Sequence, residues 1–181
     1  DLSCTLAPGH FYALIGPNGS GKSTLLDLLA GFLQPDHGEI LLKDRSVRRY
    51  GRDQLARLVS LVPQAFSLNF DFLVDEVVMM GRHQLIPRFS RPRPEDIDAA
   101  RQASGLLNIT HLSDRPVSRL SGGEQQRVMV ARALAQQTEI ILLDEITANL
   151  DIRHAISIMQ TMTDLVLQQG RTVIAALHDL N

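Results

Sequence analysis

The sequence predicts an α/β fold: a mostly parallel sheet flanked by helices, with a helical segment inserted between two parts of the core. Three observations predict it. The apolar runs Phe11 to Ile15, Glu139 to Leu143 and Thr172 to Leu177 are continuous rather than alternating, as in strands buried on both faces of a parallel sheet. Helical patterns stand beside them, Lys22 to Ala30 closed by Gly31 and Ile152 to Gln168. Between Gln64 and about Leu120 the texture changes to helix-like segments joined by a Pro- and Arg-rich loop.

The elements follow in order. Leu2 to Leu6 reads as part of a strand, and Phe11 to Ile15 ends at Gly16, so strand, loop and helix succeed one another directly. Gly38 to Leu42 and Leu58 to Val62 are strand candidates, separated by a polar turn around Lys43 to Ser46 and a short helix near Asp53 to Arg57. In the inserted segment, Val74 to Met80 and Pro94 to Gly105 read as helices, with Pro94 suited to a first turn. The partition expected is a core of residues 1–64 and 121–181 with a helical subdomain at 65–120.

With 181 residues the chain supports one sizeable core, and 44% hydrophobic with 21% charged residues is ordinary for a globular protein. A formal net charge of −2 supplies no field suited to gripping nucleic acid. The single cysteine, Cys4, has no internal partner for a disulfide and fits a reducing compartment. No stretch reaches the roughly 20 apolar residues of a membrane span. Any membrane contact is therefore expected to be peripheral. The chain opens on Asp1 close to a strand, and incompleteness at both ends is expected.

Gly16-Pro17-Asn18-Gly19-Ser20-Gly21-Lys22-Ser23-Thr24 matches G-x-x-x-x-G-K-[ST] between a predicted strand and helix. Its glycines let successive backbone N–H groups turn inward at a helix start, Lys22 is placed to neutralise outer phosphates, and Ser23 to ligate magnesium. This predicts a phosphate-loop nucleoside triphosphatase core. Ile140-Ile141-Leu142-Leu143-Asp144-Glu145 then delivers two acids at the carboxyl end of a strand, where open parallel sheets place ligands. Asp144 is expected in the magnesium shell and Glu145 as the base that polarises the attacking water.

Leu120-Ser121-Gly122-Gly123-Glu124-Gln125-Gln126-Arg127 is a helix start with Ser121 as cap, continued by Val128 to Leu134. Together with the other two motifs it resembles the signature of the ATP-binding cassette family. The resemblance covers nearly the whole chain. Gln64 is similar to the family's Q-loop glutamine, His178 to its switch histidine, and Ala148-Asn149-Leu150-Asp151 to the loop through which paired subunits communicate. It implies ATP and Mg2+ as ligands, with Gln64 sensing magnesium and His178 contacting the terminal phosphate. It implies, too, a homodimer in which Lys22 and its loop on one subunit and Ser121, Gly122 and Gly123 of the other enclose each ATP.

Two departures from the family pattern stand out. Ile146 occupies the place where a proline usually follows the glutamate, and residues 1–15 offer no adenine-stacking aromatic, since Phe11 and Tyr12 belong to a strand. The lobe from Phe66 to Arg93 is expected to receive integral permease subunits at the cytoplasmic face of the plasma membrane, with one of Met79 and Met80 in its core and Arg82, Arg88, Arg91 and Arg93 in a solvated loop. Phe72 to Val78, Met80-Gly81-Arg82 and Leu177 to Asn181 look most like bacterial importers of ferric siderophores, haem or cobalamin, which work with an extracytoplasmic substrate-binding protein. The alternatives are a DNA-repair or chromosome-maintenance ATPase and a ribosome-associated one. The former insert long coiled coils, for which the span from Lys22 to Leu120 is too short and lacks heptads; the latter are usually tandem cassettes.

Overall fold

The computed structural model describes residues 2–64, 71–87, 89–146 and 151–177. Its strands and helices are β1 (Phe11–Ile15), α1 (Lys22–Leu29), β2 (Leu41–Leu42), β3 (Arg45–Ser46), α2 (Arg52–Ala56), β4 (Val59–Val62), α3 (Val74–Met79), α4 (Pro94–Leu106), α5 (Gly122–Ala135), β5 (Ile140–Asp144), α6 (Ile152–Gln169) and β6 (Thr172–Leu177). The main sheet is parallel throughout, in the order β1-β6-β5-β4. In register, Ile15 pairs with Leu177 and Asp144 with Ala176, so the carboxyl ends of β1, β5 and β6 lie at one edge.

The continuous apolar runs are explained by two cores, one on each face. Along β5, Ile141 and Leu143 face a core shared with α3, α4, α5 and α6, while Leu142 faces a second core built on Leu26 of α1 and Leu55 of α2. Along β6, Val173 and Ala175 take the first side and Ile174 and Ala176 the second. With both faces covered, neither alternate position has a reason to be polar.

The small hairpin β2–β3 turns through Lys43 and Asp44, at φ 51° and 59°, the left-handed pair that a two-residue turn requires. The expected strand at Gly38 to Leu42 is thereby cut to its last two residues. No strand forms at Leu2 to Leu6: Leu2 is 68% exposed, and no described backbone lies alongside to close a ladder.

On one side of the sheet α3, α4 and α5 pack against one another, and α5 also packs on β4. Met79 and Met80 both lie against the core. Arg82 corrects the expectation of a solvated loop, for it is 7% exposed. It lies in the 3₁₀ turn Met80–Arg82. From there its guanidinium donates to Asp96 Oδ1 at 3.0 and 3.1 Å, to the carbonyl of Ala135 at 2.8 Å and to Gln137 Oε1 at 3.1 Å. Beside it a Cβ on Gly81 would lie 2.1 Å from the carbonyl oxygen of Arg132, so only glycine lets this turn approach α5.

Candidate functional site

The loop between β1 and α1 places Lys22 and Ser23 at the start of a helix whose amino end is capped by Gly21 at φ 92°. The first backbone N–H groups of a helix have no partner within it, which makes this end an anion seat. Lys22 is 9% exposed; its Nζ donates to the carbonyls of Gly16 at 2.8 Å and Pro17 at 3.3 Å. The ammonium is thus folded back over its own loop.

Across the sheet edge, β5 supplies the acids. Ser23 Oγ donates to Asp144 Oδ1 at 2.9 Å. Lys22 Nζ lies 3.2 Å from Glu145 Oε1, with both side chains buried, and Gln64 Nε2 donates to Glu145 Oε2 at 2.7 Å. Burial pushes the Asp144 carboxyl above its ordinary range, helped by the charges of Glu145 and Asp27 and opposed by the Ser23 hydroxyl and Lys22. Asp27, which no motif marks, adds to this field from α1; its spacing on the helix carries no signal of it.

Glu145 has φ 48°, an uncommon conformation for a residue with a side chain, and its N–H donates to the Ala176 carbonyl at 3.1 Å. The next residue, Ile146, is 1% exposed and belongs to the core on the α5 side of the sheet. Apolar anchoring of Ile146 therefore holds the strand end at the position where the family usually has a proline.

Of the residues singled out in the sequence, Lys22, Ser23, Gln64, Asp144 and Glu145 meet at one sheet edge in two bonded sets, Ser23 with Asp144 and Glu145 with Lys22 and Gln64, and Gly16 and Pro17 accept from Lys22. Thr24 is the third residue of α1. Asn18, Gly19 and Ser20 complete the loop, and the Ser20 N–H closes a turn on the Pro17 carbonyl. Ser121 caps α5 in a reciprocal box: its Oγ accepts from the Glu124 N–H, while Glu124 Oε2 accepts from the Ser121 N–H at 2.8 Å and hydroxyl at 2.7 Å. These bonds hold the Glu124 carboxyl below its ordinary range. The Gln125 amide donates to the carbonyls of Val117 and Leu120, fixing the approach to the helix. Among the described residues no hydrogen bond or ion pair links Ser121, Gly122 or Gly123 to the phosphate loop. His178 and Ala148-Asn149-Leu150 lie outside the described residues. The Tyr12 hydroxyl is bonded to both the N–H and the carbonyl of Ala7, in keeping with a strand position.

A family model described as ABC transporter matches residues 1–148. The chain is similar to the ferric enterobactin transport ATP-binding protein of Escherichia coli (strain K12), 42% identical over 181 residues, 100% of this chain and 67% of the relative. It is likewise 42% identical over 194 residues to the hemin import ATP-binding protein of Bordetella pertussis, covering 100% of this chain and 71% of that one. Among solved structures, a dimeric bacterial ABC transporter cassette superposes with a TM-score of 0.86 at 30% identity, covering 98% of this chain and 78% of its own. The match over residues 1–148 and these identities show that the chain belongs to the ABC transporter family.

Proposed function

We propose that this chain is the ATP-binding and ATP-hydrolysing part of a metal-chelate importer, with ferric siderophore, haem or cobalamin as the cargo class. The observation that carries the reading is the meeting of Lys22, Glu145 and Gln64 beside the bonded pair Ser23 and Asp144 at one sheet edge. Lys22 and the N–H groups of residues 19–24 would bind the outer phosphates of ATP. Ser23 and Asp144 fit a magnesium ion: two hard oxygens 2.9 Å apart match one edge of an octahedron with ligands about 2.0–2.1 Å from its centre. When bound with ATP, magnesium would neutralise developing charge on the phosphates. Glu145 would accept a proton from the attacking water, Gln64 would orient the Glu145 carboxylate, and His178 would contact the terminal phosphate.

The amino end of α5 is a second anion seat on a chain with a single phosphate loop. Ser121, Gly122 and Gly123 would therefore complete the nucleotide site of a second copy, so that ATP binds a homodimer together and hydrolysis releases it. The helical lobe would receive the permease subunits at the cytoplasmic membrane face, and an extracytoplasmic binding protein would deliver the chelate. No helix among the described residues is long and apolar enough to cross a membrane. Relatives named for ferric enterobactin transport and hemin import support the cargo class.

Light scattering after size exclusion tests the shared site, using full-length Glu145→Gln protein with and without ATP and magnesium. A monomer that becomes a dimer only with ATP is expected, and Ser121→Arg in the same background should stay monomeric while still binding ATP. A Ser121→Arg variant that dimerises normally would remove the signature from the partner's site.

A further inference from the structure

A buried ammonium needs a counter-ion, because a charge taken from water and left unpaired is strongly destabilising. Lys22 finds one in Glu145, the residue proposed as the base for hydrolysis. Both are under 10% exposed, and Glu145 is held on two sides: Oε1 faces Lys22 at 3.2 Å, and Oε2 accepts from Gln64 at 2.7 Å. The backbone at Glu145 is left-handed and fastened by its N–H to Ala176, and the carboxylate lies against the phosphate-loop lysine. An ammonium on a flexible stem exchanges partners readily, unlike a guanidinium held by a fixed fork of bonds.

We propose that Glu145 acts as a latch: its carboxylate holds Lys22 when no nucleotide is bound, so that incoming phosphate must take Lys22 from Glu145 and leaves the carboxylate with Gln64. The latch rests on the nucleotide-binding reading above and adds an autoinhibitory contact to that site. It makes the binding-competent form a fraction of the nucleotide-free protein, and apparent affinity falls by that fraction. The release also connects nucleotide entry to Gln64, which follows β4.

The test is ADP binding without magnesium, measured by calorimetry on the full-length protein, so that neither hydrolysis nor the metal contributes. A latch closed most of the time predicts that Glu145→Gln binds ADP about fivefold more tightly than the parent. Competitive acetylation of the nucleotide-free protein supplies an independent readout, with exposed Lys43 as internal reference. Labelling of Lys22 relative to Lys43 should rise several-fold in Glu145→Gln. Unchanged ADP affinity overturns the latch. Tighter binding with unchanged Lys22 labelling overturns it too, since relief of repulsion between the Glu145 carboxylate and the phosphates would then account for the gain. Lys22→Ala separates the two ideas: it should abolish ADP binding, and ADP affinity indifferent to that change would overturn the nucleotide-binding reading itself.

Discussion

Among the described residues two buried ion pairs invite comparison, one at the nucleotide edge and one between the 3₁₀ turn and α4, and they are built differently. Lys22 and Glu145 meet through one contact of 3.2 Å, and the other bonds of the Lys22 ammonium go to loop carbonyls. Arg82 and Asp96 share a forked contact, Arg82 Nη1 donates to Ala135 and Gln137, and Asp96 Oδ2 accepts from the Arg93 N–H at 3.0 Å. The lobe pair joins the 3₁₀ turn, α4 and the end of α5 with donors in a fixed plane. The edge pair leaves a point charge on a flexible stem. A guanidinium with this many satisfied partners suits permanence, whereas an ammonium on one carboxylate suits exchange.

The largest effect expected is catalytic. In full-length protein, Glu145→Gln should slow ATP hydrolysis by about 10² to 10⁴ if Glu145 is the general base, while ATP binding survives. A steady-state phosphate-release assay checks this, and unchanged turnover would remove Glu145 from the role. Arg82→Ala should act on stability instead. It leaves Asp96 as a buried unpaired charge, a loss of about 3 kcal/mol or more in urea unfolding. A loss below about 1 kcal/mol would show that the lobe tolerates an empty pin. Smaller again, Gly81→Ala should cost about 1–3 kcal/mol, because its Cβ meets the Arg132 backbone rather than a side chain able to move.

The finest distinction is the pH response of the carboxylates in the two regions. The Asp96 carboxyl lies below its ordinary value of 3.8, chiefly through the Arg93 N–H and also through Arg82. Its contribution to stability is present above that value and disappears as pH falls through the depressed pKa. Asp144 is shifted the other way by burial, so its ionisation destabilises the nucleotide-free fold as pH rises. Asp96→Asn should therefore be less stable than the parent at neutral pH and Asp144→Asn more stable, with both gaps narrowing in acid. Urea midpoints at several pH values measure this. Gaps of the same sign would show that the two carboxylates experience similar environments.

Much of the fold was legible because its signals are local. Apolar runs mark strands buried on both faces, Gly21 and Ser121 mark helix starts, and the spacing from Gly16 to Ser23 marks an anion seat. Each depends on residues within a few positions of one another. The strand expected at Leu2 to Leu6 failed because a ladder needs a neighbour, which local pattern does not reveal. Arg82 was misread for a related reason: its partners Asp96, Ala135 and Gln137 are 14 to 55 residues away, and until they converge an arginine among Pro and Arg residues resembles any exposed loop.

The sequence by itself determined the kinds of groups present, the elements that carry them and the family, since motif spacing and apolar periodicity are properties of the chain alone. Only the tertiary structure decided that Glu145 rests on Lys22 and Gln64 rather than facing an open site, that Ile146 is sunk in the core, and that Arg82 is a pin. The physical reason is that burial and pairing depend on distance in space. Lys22 and Glu145 are 123 positions apart in the chain and meet only because β1 and β5 both flank β6, which brings their carboxyl ends to one edge.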